Sequence, residues 1–391
     1  MTSQPRIVFA VTADKSLPLL QGFPAHMVER GWEVHVVSSP GSNLHALGSG
    51  GTVHVHSLPM AREPSLLQDL ASLVRWLVLL AKLRPTVVSV GTPKAGLLGG
   101  VAAWLLRVPF RVYVLRGLRL ESAAGAKREF LRRMEQIASR SAHAVIAVSH
   151  SLRVRALELG LATPSALKVI GNGSSNGVDV ERFNPERIDQ DSVSALRVEL
   201  GLVPGIPVIG FVGRLTIDKG LVSFAQARQL LVDRGVDHQV LLVGGIDDDN
   251  ADTWVKTLTI AGRPAAVTGH VYDTSPYYRL MDLLCLPSLR EGFPNVVLEA
   301  AASGVPAVTS DATGAIDSVI DTETGLIARA GDGSDLADRL ERLLSLSEAE
   351  RRVMGVAARE RAVREFSHTM MWDTLEAFYR AGLSSAAKES D

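Results

Sequence analysis

Short apolar runs of strand length alternate with longer stretches of helical spacing along this chain, and the alternation occurs twice. In the first half, residues 7–12, 33–38, 87–90, 110–115 and 144–148 read as strands, with helices expected over 19–30, 66–83, 95–106 and 127–139. Such a βαβα series builds a parallel sheet covered by helices on both faces. Right-handed crossovers then bring every strand's carboxyl end to one edge, where ligands bind. The rhythm stops in GNGSSNGVDVERFNP, residues 171–185, where Gly, Asn, Ser and Pro predict ordered loop. After a polar helix over 192–200 it resumes. Strands are expected over 208–212, 239–243, 266–268, 283–287 and 307–309, and helices over 220–234, 274–281, 295–303, 315–320 and 335–344. The fold class that follows is α/β, with two Rossmann-like domains facing each other across a cleft and joined near residues 180–205. A charged helix over 347–366 and a last helix over 368–381, apolar on one face, close the chain.

A chain of 391 residues, 46% hydrophobic and 21% charged, can bury two sizeable cores and is not disordered in composition. Its formal net charge of −1 gives no overall field that would gather nucleic acid. The one cysteine, Cys285, lies in an apolar run and reads as a small buried hydrophobe in a reducing, cytoplasmic setting. No secretory signal is visible, and no run reaches the roughly 20 apolar residues that a membrane span needs. Residues 95–106, with three glycines, read instead as a buried helix. Charge is uneven: between Arg107 and Arg155 there are eleven Arg or Lys against three Glu. That excess fits either solvated helix faces or a surface meeting anionic lipid or a phosphorylated acceptor.

The chemistry is expected in LLCLPSLREGFPNVVLEAAASGVP. A buried strand ends at Pro287, a loop carries Glu291, Gly292 and Phe293, and Pro294 stands where a first helical residue would. A helix opening at the carboxyl edge of a sheet presents free amides and a positive dipole end to a diphosphate. Glu291 would point into the cleft and Glu299 lies within the helix, so the two carboxylates can hold two sets of sugar hydroxyls. A second segment, GFVGRLTIDKG, ends a strand at Val212. Gly213 follows, and Arg214 and Lys219 bracket a short loop, two cations suited to balance a diphosphate and the charge that develops as it leaves.

Other chemistries lack their residues. No GxGxxG follows the first strand, and no Walker-type loop, HExxH, paired CxxC or GxSxG elbow is present. His54 and His56 share one strand face but have no third ligand nearby in sequence, and read as surface histidines.

EGFPNVVLE has the E-x7-E form of the retaining glycosyltransferases of family 4, which have the GT-B fold, and the chain resembles that family from residue 171 to about 345. FVGRLTIDKG resembles its G-R-…-K-G loop, and NGVDVERFNP its N-G-V-D linker. LVGG and VTGHVYD match its later strand ends in order, and TETGLIA matches its T-G-hydrophobic turn. The resemblance implies an acceptor-binding domain over 1–185, a nucleotide-sugar domain over 186–367, and a terminal helix, about 368–391, that crosses back to the first domain. It implies that Glu291 meets the transferred sugar, with Arg214 and Lys219 on the diphosphate. Gly213, Gly292, Phe293, Pro294, Asn295 and Val296 would line the donor, Glu299 would bind the ribose, and His270 and Val271 would face the base. It implies no metal and no cofactor. The His-Gly found in many relatives is replaced by Arg116-Gly117, which casts Arg116, with Lys15, as an acceptor-side residue suited to a phosphate.

EVHVVSSPG and LPSLREGFPNVVLEA resemble the branch that builds capsule, O-antigen or teichuronic-type polysaccharide on undecaprenyl-diphosphate-linked sugars. The expected activity is transfer of a hexose or N-acetylhexosamine, from UDP by preference, to a lipid-linked glycan at the inner face of the membrane. A soluble natural-product acceptor is the alternative. A nucleotide-sugar epimerase of the same fold and a catalytically silent sugar-nucleotide-binding subunit stand further off.

Overall fold

The computed structural model describes residues 4–60, 65–247, 251–259 and 264–388. The chain divides into two compact units. One runs as far as Asn176 and takes up the chain again from Thr369; the other is Gly177–His368.

The first unit holds a seven-stranded sheet of β1 (Arg6–Ala10), β2 (Glu33–Ser38), β3 (His54–Ser57), β4 (Val87–Gly91), β5 (Phe110–Leu115), β6 (Ala144–Ala147) and β7 (Leu167–Lys168). Its order is β3-β2-β1-β4-β5-β6-β7, and every pairing is parallel. The order reverses direction between β1 and β4, which opens a crevice at their carboxyl ends. Central strands are buried along almost their whole length, as a parallel sheet covered on both faces requires. The glycine-rich helix Pro93–Leu105 is buried on most sides, and its glycines let it lie close against β5 and the helix Gly125–Ser141.

The helix His368–Lys388 completes this unit. Met371, Leu375 and Tyr379 are buried on it. The Trp32 indole donates to Glu376 at 3.0 Å, and the Ser89 and Tyr379 hydroxyls are 2.8 Å apart.

The second unit repeats the plan with β8 (Val208–Val212), β9 (Gln239–Val243), β10 (Ala266–Val267), β11 (Leu283–Leu286), β12 (Ala307–Ser310) and β13 (Gly325–Ala328). The order is β10-β9-β8-β11-β12-β13, again all parallel, with the reversal between β8 and β11. Val178 donates to Phe366 and His368 to Val178, so the segments that enter and leave this unit run side by side.

Several expectations need correction. Residues 19–30 are not one helix: a 3-10 turn, Asp14–Leu20, and a helix, Phe23–Glu29, flank Gly22, whose φ of 78° breaks the helix. Residues 315–320 shorten to a 3-10 turn, Ile316–Ser318, and residues 325–328, read as a turn, pair with β12 as a strand. His56 is not a plain surface residue. Its Nε2 lies 2.9 Å from Nδ1 of His35, across the β2–β3 pairing, and burial lowers its pKa to about 4. Cys285, by contrast, is buried as expected, and burial raises its thiol pKa far above the ordinary range. Among the described residues no helix is long and apolar enough to cross a membrane, and no cluster of His, Cys, Asp or Glu is placed to hold a metal.

Candidate active site

The two segments singled out in the sequence follow β8 and β11, the strands that flank the reversal in the second sheet. They meet there. Lys219 donates to Glu291 Oε1 at 2.5 Å, and the Ser288 hydroxyl donates to the same oxygen at 2.8 Å. The side chains are only 20% and 11% exposed, so the pair is shielded from screening by solvent.

Neighbouring residues hold both loops. Asp218 accepts from Arg290 at 3.0 Å and from the Thr216 hydroxyl at 2.5 Å, and its carbonyl accepts from the Leu289 amide at 2.9 Å. Burial raises the Asp218 carboxyl pKa. The Thr216 hydroxyl and the Arg290, Lys219 and Arg214 charges outweigh it and leave the group below its ordinary value. Thus the residues just before Lys219 and Glu291 are tied to each other as well.

Two glycines are required by close approach. Gly220, at φ 84°, passes so near Pro287 that a Cβ would lie 2.0 Å from the Pro287 carbonyl oxygen. Gly314, at φ 78°, would meet the Gly292 carbonyl oxygen at 2.3 Å. The loop after β12 therefore supports the Glu291–Gly292 backbone from beneath, and Glu291 donates its amide to Thr313.

The helix Asn295–Ala302 begins at this edge. Pro294 is its N-cap, with ψ of 103°, rather than its first helical residue. Phe293 is buried against Phe366, with ring centroids 5.3 Å apart, so its side chain belongs to the core. The Asn295 side-chain oxygen is buried with no hydrogen-bond partner, and offers itself to a ligand. Val296 is half-buried and its carbonyl accepts from the Tyr278 hydroxyl at 3.2 Å.

Glu299 is not on a solvated face. It accepts from the Tyr278 hydroxyl at 2.9 Å and from Thr274 at 3.3 Å. Burial raises its pKa and outweighs these hydrogen bonds and the charge of Arg182. Sequence reasoning missed Thr274 and Tyr278, whose roles depend on the short helix Ser275–Tyr278 lying beside Asn295–Ala302.

Arg214 is placed differently from Lys219. Its guanidinium is half-exposed and bonds Asp247 at 2.9 Å, although its charge still acts on Asp218. Gly213, with φ of 137°, turns the chain after β8. His270 and Val271 follow the edge strand β10, His270 exposed and Val271 half-buried. In the other unit, Lys15 is exposed on the turn after β1, and Arg116 follows β5 at the carboxyl edge.

The family model described as glycosyl transferases group 1 matches residues 206–346, and the glycosyl transferase 4-like domain matches 21–173. The capsular polysaccharide biosynthesis glycosyltransferase CapM of Staphylococcus aureus is 36% identical over 382 residues, 97% of this chain and 98% of that protein. The chain belongs to the glycosyltransferases of this group.

This glycosyltransferase is also 27% identical over 260 residues to the Escherichia coli UDP-Gal:alpha-D-GlcNAc-diphosphoundecaprenol alpha-1,3-galactosyltransferase, covering 65% of each chain. Its fold is that of the Anabaena protein HepE, solved with UDP and glucose, at a TM-score of 0.81 and 21% identity over 96% of this chain and 100% of that one. The glycosyltransferase thus has the GT-B fold of two Rossmann-like units, and its terminal helix returns to the first of them.

Proposed function

We propose that this glycosyltransferase moves a hexose or N-acetylhexosamine from a UDP-sugar to a lipid-linked glycan in the assembly of a cell-surface polysaccharide, with retention at the anomeric carbon. The observation that carries the proposal is the contact of Lys219 with Glu291 across the reversal of the second sheet. An ammonium has three donors, so Lys219 can keep Glu291 and still bond a phosphate oxygen of the donor. Arg214 adds a second charge at the start of the same loop.

In this reading Glu291 holds hydroxyls of the transferred sugar, and the backbone of residues 292–296 meets the sugar and diphosphate at the helix opening. Glu299 holds the ribose, with the Tyr278 hydroxyl fixing its orientation. The bond from the anomeric carbon to the β-phosphate oxygen breaks as the acceptor oxygen attacks on the same face. The acceptor's proton passes to the departing phosphate oxygen, and UDP and the glycoside leave. Lys219 and Arg214 stabilise the charge gathering on that phosphate. The names of the S. aureus and E. coli relatives support a lipid-linked acceptor and a polysaccharide product.

A feature of the first unit supports work at a membrane surface. On the helix Leu66–Leu83, the side chains of Leu67, Leu70, Val74 and Val78 are exposed. On Gly125–Ser141, Phe130 and Ile137 are exposed at helical spacing with Lys127, Arg133 and Arg140. The helix Pro93–Leu105 packs against both and exposes Trp104 and Leu105 at its end. Apolar and basic side chains interleaved in this way suit an anionic interface.

Three measurements test the reading. Melting shifts with UDP-, GDP- and ADP-sugars identify the donor, since a ligand that binds only the folded state raises its melting temperature. Glu291→Ala is expected to abolish transfer in a folded chain; full activity would remove Glu291 from the site. Flotation with vesicles containing anionic lipid is expected to carry the chain, and failure to float would favour a soluble acceptor.

A further inference from the structure

A pocket lies at the reversal in the first sheet. Arg116 stands directly after β5, and its side chain lies over the carboxyl ends of the central strands. A Cβ on Gly91, the last residue of β4, would come 2.9 Å from Arg116 Nε, so the glycine leaves the room in which the guanidinium lies. Around it is a pocket bounded by Ala10, Gly91, Val148, Asn176 and Tyr379, and no acidic residue lines it.

The charge of Arg116 is uncompensated. Its Nε is buried without a hydrogen-bond partner, and its Nη1 reaches the Ser175 carbonyl only at a long 3.5 Å. Among the described residues no carboxylate pairs with it. Burial lowers its pKa to about 10, which still leaves it cationic at neutral pH. The residue is half-buried, and a cation partly removed from water with no carboxylate beside it suits a ligand that supplies the counter-charge.

The surroundings are preformed. Ser89 and Tyr379 spend one of their two hydroxyl protons on each other, at 2.8 Å, which leaves one to donate into the pocket. The far wall is fixed by Asn176, which donates to the Gln21 carbonyl at 2.7 Å and accepts from the Trp372 indole at 2.8 Å.

We infer that this pocket seats an oxyanion of the acceptor, held by Arg116 and by a hydroxyl of the Ser89–Tyr379 pair. Calling the ligand an acceptor rests on the transferase reading; the anion site itself rests on the first unit alone. The same chemistry is offered by a phosphate, as in a lipid diphosphate, and by a sugar carboxylate.

The test titrates the full chain at constant ionic strength with inorganic pyrophosphate, methyl phosphate and glucuronate, comparing wild type with Arg116→Met, Arg116→Lys, Tyr379→Phe and Lys219→Met. Loss of a charge-assisted hydrogen bond predicts that Arg116→Met weakens one anion by about tenfold or more, with Arg116→Lys between it and wild type. Lys219→Met should weaken only pyrophosphate held at the donor diphosphate site and keep the component of binding that Arg116→Met removes. The anion that responds separates phosphate from carboxylate. If the R116M chain, folded by circular dichroism, binds all three anions as wild type does, or if wild type binds none, the inference is wrong. Should wild type bind an anion through Arg116 yet transfer no sugar to any lipid acceptor, the transferase reading fails while the anion site stands. In a working transfer assay, R116M should raise KM for the anionic acceptor and leave UDP-sugar affinity unchanged; an unchanged acceptor KM overturns the acceptor assignment.

Discussion

The Lys219 ammonium touches the Glu291 carboxylate at 2.5 Å, although the two residues stand 72 positions apart. Each ends a loop on one side of the crevice between β8 and β11, and the clip of Asp218 to Arg290 fixes the loops one residue earlier. Replacing either member of the pair should therefore do two things. Lys219→Met removes a cation from the departing phosphate and leaves Glu291 with Ser288 as its remaining side-chain donor. A fall in kcat of about 100- to 1,000-fold is expected, the size seen when a preorganised donor to a developing anion is removed. Steady-state kinetics with the donor identified by melting shifts would measure it, and a change below about threefold, itself under 1 kcal/mol, would mean that Lys219 does not meet the reacting phosphate.

Glu299 acts on donor binding rather than on the chemical step. Its carboxylate is oriented by Tyr278 and Thr274, so Glu299→Ala should raise the donor KM by about 10- to 100-fold, the cost of hydrogen bonds to a charged group, with a much smaller change in kcat. Tyr278→Phe should shift donor KM in the same direction and by less. Equal loss in kcat and kcat/KM would instead place Glu299 in the transition state.

Much of this was legible in the sequence. The strand, loop and helix around EGFPNVVLE are punctuated by Pro287, Pro294, Gly304 and Pro306, so the segment could be read without any neighbour. The contact with Lys219 could not, because it depends on β8 and β11 being adjacent in the sheet. The strand β7 has two residues, too few for a period to be visible, whereas the equally short β10 falls within the strand expected over 266–268. The reading of 19–30 as one helix followed its apolar spacing through Gly22, where a Trp372 ring fills the space that a side chain would need. The partners of Glu299 and the orphaned Arg116 are properties of tertiary packing, and residue type alone does not reveal them.

The docking of the terminal helix can be tested at one hydrogen bond. Trp32 is 1% exposed and Glu376 8%, and the indole N–H has the Glu376 carboxylate as its partner. Arg380 bonds the same oxygen. Glu376→Ala strands a buried donor and should destabilise the first unit by about 1–3 kcal/mol. Trp32→Phe in the same chain removes the stranded donor, so the double variant should lose less than the two single losses added together. Additive losses in thermal unfolding would show that the contact contributes nothing.

Glu135 gives the first unit a pH dependence of definite sign. Its carboxyl group is buried beside Tyr113, whose hydroxyl donates to it at 2.6 Å. Burial raises its pKa to about 7, against an ordinary value of 4.5. Between those values the folded chain keeps a proton that the unfolded chain has released. The stability it supports is fully present below pH 4.5 and is lost as pH rises toward 7. At about 1.4 kcal/mol per pKa unit, the loss is on the order of 3 kcal/mol. Glu135→Gln keeps an acceptor for Tyr113 and cannot titrate. Its advantage over wild type in thermal unfolding should therefore grow from near zero at pH 4.5 to its full size above pH 7. Carboxylates with lowered pKa values and the buried His35 and His56 titrate in both chains, and so cancel in the difference. Parallel pH profiles for the two chains would mean that Glu135 ionises freely, and that the interior beneath β5 is wetter than its packing implies.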